Sequence, residues 1–379
     1  MPAEPSFIQI YDRLYAWCEA RDFAGWDPFD ALNSRVFQAT PFKNSRFFRY
    51  GFLQSVKRSP VNLRSVLRVP EGVNSKGIAL FALAELSRYR ATGDERHALR
   101  SRELLDRLLS LGLQFRDGLA FGYNFDWQSR HFFAPKGTPT IVPTAFASQA
   151  FAEGADVFNE LRYVNAVENI AAFVVADLQR PVDADDEVCF SYTPLDSSII
   201  YNASLLAAEC LGRSALKEFR QLAGRAVNFV ARRQQEDGSW TYGEGRGQTW
   251  VDNFHTAYVL VSLKRISQVV SVDTVNAIER GKAFWTHNFF LDDGTPRYYN
   301  DKTDPIDIHS AAVAIAAAAE LGESELATRV ASWTTRNMRD TEGFFYYRVG
   351  RILVDQTPYM RWGQAWMAYA LARLIESKQ

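Results

Sequence analysis

Two short segments of the sequence each combine a carboxylate with an imidazole. Asp252 precedes His255 by three residues, and Asp307 precedes His309 by two. Each pair stands at the start of a strongly apolar stretch, which predicts that it lies at the N-terminus of a buried helix. Carboxylates, imidazoles and phenols can serve as general acid and base when they lie about 3 Å from a substrate proton. The candidate catalytic residues are therefore His255, His309, Asp252, Asp307 and Tyr299.

These residues also have a purely structural interpretation. Asp252 and Asp307 stand where N-caps are found, and both histidines can be hydrogen-bonded core residues. The acid-base interpretation predicts that the four side chains face one polar pocket. The four are also acceptable metal ligands. Their spacing matches no compact metal motif, so neither a metal nor another cofactor is expected.

Further polar and aromatic side chains precede other apolar stretches. Helix N-termini there would offer N–H groups and positive dipole ends to hydroxyl or anionic groups. Aromatic rings stack on sugar faces, and arginine binds carboxylates through two hydrogen bonds. The candidate substrate-binding residues are Tyr123, Asp126, Trp127, Arg130, His131, Tyr201, Asn202, Trp250, Asn253, Tyr359, Arg361 and Trp362.

The elements that would position these residues recur along the chain. A turn with a glycine and aromatic residues appears in residues 116–123, 236–242, 292–299 and 341–347. An amphipathic helix pattern precedes the turn, and a polar loop and a nearly all-apolar helix pattern follow it. Such self-similarity, about every 50 to 70 residues, indicates one helical hairpin stacked on itself.

Six of the apolar segments are predicted to form inner helices, because a helix that is apolar on every side is buried on every side. The more charged helices between them would form an outer layer. Six antiparallel hairpins close most naturally into an (α/α)6 toroid, whereas an open solenoid would need polar capping repeats. We expect an all-α single domain over residues 1–379. The inner helices are predicted to begin near Lys76, Thr144, Asn202, Asn253, His309 and Trp362.

The overall composition argues against several classes of protein. The net charge is −1, and basic residues are spread along the chain, which disfavours nucleic acid as the main partner. Cys18, Cys189 and Cys210 are odd in number and far apart, which favours a reducing compartment over a disulfide framework. The start lacks a secretory pattern, and the longest apolar stretch, Ala311–Ala319, is too short for a transmembrane segment. We expect a cytoplasmic protein.

One stretch of the chain resembles known proteins. Residues 234–240, QQEDGSW, resemble the Gln/Trp repeat of squalene-cyclase and prenyltransferase-like toroids, a fold shared with six-hairpin glycosidase-like proteins. Together with residues 250–256, WVDNFHT, the stretch is similar to proteins encoded in bacterial polysaccharide-biosynthesis loci. The resemblance implies a toroid and a role in surface-polysaccharide assembly. It does not imply a particular reaction, because the fold carries cyclases, glycosidases, lyases and epimerases.

These observations predict acid-base chemistry on an oligosaccharide or sugar acid. Epimerisation or elimination at a uronate needs a base such as His255 and a cation such as Arg361. Hydrolysis needs two carboxyl groups about 5 Å or 6.5–9.5 Å apart, for which Asp126, Asp252 and Asp307 are the candidates. The sequence leaves epimerase, lyase and hydrolase open.

Two alternatives belong to other functional classes. A terpenoid cyclase or prenyltransferase-like enzyme predicts an aromatic cavity with acid at one end. Residues 183–186, DADD, match the acid motif of such cyclases, but the repeat alignment places them in a hairpin turn. A non-catalytic glycan-binding scaffold predicts an aromatic platform without converging acids and bases.

Overall fold

Helices form most of the protein in a computed structural model that describes residues 5–116, 118–129 and 132–379. Short 3-10 turns cover Asp30–Asn33 and Pro41–Asn44, and a π-helical turn covers Met360–Gln364. The α-helices of the described residues are α1 (Phe7–Glu19), α2 (Arg35–Gln38), α3 (Arg46–Arg58), α4 (Ser75–Thr92), α5 (Glu95–Ser110), α6 (Ile141–Phe158), α7 (Leu161–Asp177), α8 (Tyr201–Gly212), α9 (Lys217–Ala231), α10 (Asn253–Ser267), α11 (Val275–Asn288), α12 (Ile308–Leu321), α13 (Ser324–Asn337) and α14 (Ala365–Glu376).

The strands are two or three residues long and all pair antiparallel. Four two-stranded sheets and one three-stranded sheet, in the order β11-β10-β9, brace the loops between helices. The strands are β1 (Ala24–Gly25), β2 (Gly72–Val73), β3 (Leu113–Phe115), β4 (Gly118–Ala120), β5 (Trp127–Gln128), β6 (Phe133–Ala134), β7 (Val182–Asp183), β8 (Val188–Cys189), β9 (Ile306–Asp307), β10 (Arg348–Val349) and β11 (Val354–Asp355).

Six inner helices form a closed ring. Helices α4, α6, α8, α10, α12 and α14 each pack on the next, and α14 packs back on α4. All twelve residues of α8 are buried, as expected for a helix enclosed on every side. Each inner helix begins within a few residues of its predicted start. The prediction of an all-α (α/α)6 toroid is confirmed. The expectation of a single domain over residues 1–379 stays a prediction.

The outer layer consists of α1, α5, α7, α9, α11 and α13. Helix α5 buries His97, Ala98, Ser101, Leu104, Leu105 and Leu108, a stripe at helical spacing that packs on α4. Each of α4, α6, α8, α10 and α12 is followed by its outer partner after a short loop. The sixth pair joins α14 to α1. The tight hairpins thus run from inner to outer helix, whereas the repeat suggested the order outer to inner. The long loops, which lead from each outer helix to the next inner helix, lie together at the other rim of the ring.

The glycine of the repeated turn joins one outer helix to the next. Gly294 has φ +89, and a Cβ on it would lie 2.6 Å from the carbonyl oxygen of Arg329 in α13. Gly343 has φ +108, and a Cβ on it would lie 3.2 Å from the carbonyl oxygen of Arg13 in α1. The turn at Gly343 therefore packs on α1, which closes the outer layer as well.

Alanine at Gly294 is expected to destabilise the protein by about 3 kcal/mol, because a positive φ and a backbone collision both oppose a side chain. Gly322 is the matched control: its φ is +84, but open space surrounds it. Gly322→Ala is expected to cost about 1 kcal/mol, the conformational part alone. Urea unfolding measures both, and equal losses would show that the helix contact contributes nothing.

One excursion from the ring lies over its open rim. Strands β1 and β2 pair, so the chain between them leaves and returns at one point. We call residues 31–70 the mouth segment. Arg64 holds it in place through its Nε, 2.7 Å from the Asp30 carboxylate, and its Nη1, 2.5 Å from the Tyr359 hydroxyl. Helix α3 of this segment crosses the rim. Among the described residues, no helix combines the length and the apolar character needed to cross a bilayer.

Candidate active site

A cavity of about 400 Å³ opens at the rim formed by the N-termini of the inner helices. The long loops, helix α3 and the first turns of the inner helices line it. Its lining is mainly aromatic, with two histidines and four cationic side chains, and the described lining residues include no aspartate or glutamate. The charged and titratable nitrogen groups are Lys57, Arg58, Lys76, Arg361, His255 and His309.

His255 lines the cavity and is oriented by Asp252. The Nδ1 of His255 lies 2.7 Å from Oδ2 of Asp252. A carboxylate only accepts, so Nδ1 carries the proton and Nε2 is the basic nitrogen. Asp252 also accepts from the backbone N–H of His255 and from the Trp250 indole, each at 2.9 Å. This carboxylate therefore caps α10 and positions the imidazole at once, which the sequence presented as alternatives.

His309 also lines the cavity, in a more buried setting. Its Nδ1 lies 3.2 Å from the Trp362 carbonyl oxygen, so Nδ1 donates and Nε2 is again the acceptor. Its ring stacks on the Trp362 indole at 3.9 Å between centroids. Burial, followed by the nearby basic groups of Lys76 and Arg361, holds the pKa of His309 well below its ordinary value. The imidazole is therefore neutral near pH 7, and its Nε2 accepts a hydrogen bond rather than carrying a proton.

Asp307 supports the wall of the cavity rather than a histidine ring. One oxygen accepts from the His309 backbone N–H and the Trp362 indole, and the other accepts from Nε of Arg348, each at 2.9 Å. Arg348 reaches it because β10 pairs with β9. Asp307 thus caps α12 and anchors the indole on which His309 stacks.

A lysine and a tyrosine that the sequence analysis left outside the candidate set extend from His309. The Tyr258 hydroxyl lies 3.4 Å from Nε2 of His309 and 3.3 Å from Nζ of Lys76. Burial raises the pKa of Tyr258 and lowers that of Lys76, in each case far from the ordinary value. Tyr258 lies three residues after His255 and so on the same face of α10. This spacing predicts that both side chains face the same cavity.

Arg361 reaches the cavity from the π-helical turn before α14. Its Nε and Nη2 bind the Asp27 carboxylate at 2.6 and 2.8 Å, and both side chains are buried. Burial opposes the charge, but Asp27 outweighs it, so the pKa of Arg361 is raised. Its Nη1 makes no hydrogen bond with the described residues and remains for a ligand. The ion pair is internal, so it holds the guanidinium in place inside the protein.

Lys57 lines the cavity from α3. This helix is not part of the repeated hairpins, so the repeat does not predict a lysine there. Its Nζ lies 3.8 Å from the centre of the Phe29 ring. Burial, and secondly the cation of Arg348, lower the pKa of Lys57 to about 7. The positive charge that Lys57 presents to a ligand is therefore present below about pH 7 and lost above it.

The remaining predicted residues divide into two groups and a pair. Those that line the cavity are Tyr123, Trp127, Asn202, Trp250, Tyr299 and Trp362. Those that lie behind its wall are Asp126, Tyr201, Asn253 and Tyr359. Each forms a hydrogen bond within the protein, in the same order with the Lys136 backbone N–H, Glu244, Trp285 and Arg64. Tyr201 and Asn202 point about 100° apart on their helix, which explains why only Asn202 faces the cavity. Arg130 and His131 lie outside the described residues.

The aspartate cluster at residues 183–186 lies in the β7–β8 hairpin, where the repeat alignment places it. Asp183 forms ion pairs with Arg180 and Arg225, and Asp186 pairs with Arg232. The cluster is not part of the cavity lining. It therefore gives no support to cyclase chemistry.

Comparison with known proteins identifies the fold. No protein-family model and no curated protein matches the chain. The structure is similar to cellobiose 2-epimerase from Bacillus thermoamylovorans, with a TM-score of 0.64 and 11% identity over 81% of this chain and 88% of that one. It is similar to an unsaturated glucuronyl hydrolase specific for heparin, with a TM-score of 0.59 and 15% identity over 80% and 86%. It is also similar to a GH76 α-mannanase from Bacteroides thetaiotaomicron, with a TM-score of 0.60 and 9% identity over 80% and 86%. All are six-hairpin toroids, and likeness at these identities shows the shared fold.

Proposed function

We propose that the protein transfers a proton at a sugar carbon beside a carbonyl or carboxylate group, and so epimerises or eliminates within an oligosaccharide or sugar acid. The observation that carries this proposal is the pair His255 and His309. Both face one cavity, and each has its Nδ1 proton held by an acceptor, so that each presents a basic Nε2. The cytoplasmic setting and the role in bacterial surface-polysaccharide biosynthesis belong to the same proposal.

The two histidines have different roles. Asp252 stabilises positive charge on His255, which makes this imidazole the base that removes the carbon-bound proton. His309 is buried without a carboxylate at its ring, and the Tyr258 hydroxyl lies beside its Nε2. The neutral Tyr258 phenol can donate its proton to the substrate, while the unprotonated Nε2 of His309 orients the hydroxyl. The phenolate then regains a proton from water, and water takes up the proton that His255 has removed, which restores both side chains. Epimerisation uses such a donor to return a proton, and elimination uses it to protonate the leaving oxygen.

The cations of the cavity indicate an anionic substrate. Arg361, Arg58 and Lys57 line it, whereas Asp27, the partner of Arg361, is not among the described lining residues. A uronate carboxylate bound by Arg361 Nη1 would lower the barrier to proton removal, because the developing enolate shares its charge. The glucuronyl hydrolase and cellobiose epimerase among the similar structures support a sugar as the ligand.

Hydrolysis by two carboxylates has less support. Asp126, Asp252 and Asp307 are outside the described cavity lining, and each is engaged with protein donors. The aromatic lining does match the cavity expected of a terpenoid cyclase, but that chemistry needs an acid, and none of the described lining residues is a carboxylic acid. A binding scaffold would need no histidine pair held in this way.

Exchange in D2O tests the proposal. The protein is incubated with a glucuronosyl-glucose disaccharide and, separately, with cellobiose, and the sugars are followed by NMR and mass spectrometry. We expect either a new epimer that carries deuterium at one sugar carbon or an unsaturated sugar without it, and neither product with His255→Ala. Release of saturated monosaccharides without a carbon-deuterium bond would replace the proposal with hydrolysis. Saturable binding of either sugar without any product would replace it with a scaffold.

A further inference from the structure

The mouth segment exposes an apolar groove of about 380 Å³. Phe47 is 78% exposed, Phe42 48% and Phe48 45%. The stacked rings of Phe37 and Phe52, 4.4 Å apart, form part of the groove. Large aromatic side chains gathered at a surface are uncommon in a protein that contacts only water, and they indicate an interaction site.

The charge of the mouth segment is as uneven as its hydrophobicity. Residues 31–70 contain eight of the 43 basic residues of the chain and none of its 44 acidic residues. In the rest of the chain, acidic residues therefore outnumber basic residues. The mouth segment is the exception to the even spread of basic residues along the chain. Lys43 and Arg46, each next to an exposed phenylalanine in sequence, are themselves exposed, and so is Arg35.

We propose that this groove docks on an anionic phospholipid bilayer. Exposed phenylalanines interleaved with cations are typical of helices that lie in the membrane interface, where the rings enter the headgroup boundary and the cations meet anionic lipids. A second copy of the chain fits less well. A symmetric pair would place two copies of this all-basic surface against each other, without an acidic residue in either segment to compensate.

Docking would place the cavity mouth at the bilayer surface. Tyr50, Gln54, Lys57 and Arg58 of α3 line the cavity, while Phe47, Phe48, Gly51 and Phe52 on the adjacent face of the same helix line the groove. The two surfaces share one helix, so a membrane bound at the groove lies next to the opening. This inference goes beyond the proposed function and does not depend on it.

Vesicle sedimentation of the full chain tests the docking surface. Vesicles of equal parts phosphatidylglycerol and phosphatidylcholine are compared with vesicles of phosphatidylcholine alone, at low and high salt. We expect binding to the anionic vesicles only, weakened by salt. The double variant Phe47→Ser, Phe48→Ser is expected to bind at least about tenfold more weakly, because it removes the two apolar anchors of α3.

The matched control replaces two equally exposed apolar residues on outer helices, Leu161 at 77% and Val275 at 70%. Leu161→Ser, Val275→Ser is expected to bind like the unaltered protein, and thermal melting checks that both double variants remain folded. Three results would overturn the proposal: no binding by the unaltered protein, equal weakening in the control, or a dimer in light scattering that Phe47→Ser, Phe48→Ser converts to a monomer. The last would assign the groove to self-association.

Discussion

Alanine at His255 is expected to reduce kcat by about 100- to 10,000-fold, the contribution of a positioned general base. The melting temperature should change little, because the imidazole is partly exposed to the cavity and Asp252 keeps its bonds to the backbone and to Trp250. Turnover and deuterium exchange are measured beside thermal melting. If stability fell as far as activity, His255 would be a core residue and the acid-base proposal would lose its base.

Asp252→Asn separates the two roles of this carboxylate. Asparagine is as good an N-cap as aspartate, so α10 should keep its stability. The amide cannot stabilise an imidazolium as a carboxylate does, so turnover should fall to between the values for the unaltered protein and for His255→Ala. Asp252→Ala is the companion variant and should also lose about 1 kcal/mol of stability with the cap. An Asp252→Asn protein with full activity would show that Asp252 only caps.

The buried pair of Asp27 and Arg361 gives the largest expected effect on stability. Asp27→Ala leaves a guanidinium without its counter-ion inside the protein, which costs about 3–5 kcal/mol. Adding Arg361→Met should recover much of that stability, because a neutral side chain of similar length no longer needs a partner. The double variant should still lack turnover of a uronate, because the proposed carboxylate-binding group is gone. Urea unfolding and steady-state kinetics measure the two effects.

Asp186→Ala is the control for this pair. Asp186, in the β7–β8 hairpin, also forms an ion pair with an arginine, Arg232 at the end of α9, but both side chains are largely exposed. Water screens such pairs, so the unfolding midpoint should barely move. If Asp27→Ala were as mild as Asp186→Ala, then Arg361 would be solvated in the cavity. If Arg361→Met alone left uronate kinetics unchanged, the assignment of Arg361 to the substrate would be wrong.

The ring of helical hairpins could be predicted from the sequence because the hairpin repeats. Segments that are apolar on every side indicate the inner helices, and the repeated turn indicates where one outer helix contacts the next. The Asp252–His255 contact was also within reach, since three residues separate the partners along one helical turn. Where the partners are local, their spacing predicts their contact.

The rest of the site depends on contacts that no local pattern encodes. Asp27 meets Arg361 across 334 positions of sequence, so neither residue points to the other. Lys57 arrives on a segment outside the repeat. Asp307 resembles Asp252 in sequence, yet it lies one residue closer to its histidine, and its second oxygen binds Arg348 instead of an imidazole. A one-residue difference in spacing changes which donor the carboxylate meets.

Because α1 completes its hairpin with α14, α1 leaves the ribosome long before its inner partner has been made. An open array can fold unit by unit from either end, and each unit can be lost or duplicated. Here the apolar face of α1 must be covered by something else, or stay exposed, until α14 has been made. The large sequence separation between α1 and α14 also slows the formation of their contact. Deleting any one hairpin would leave a gap between surfaces shaped to meet, so we expect that the number of units in this protein cannot change by one.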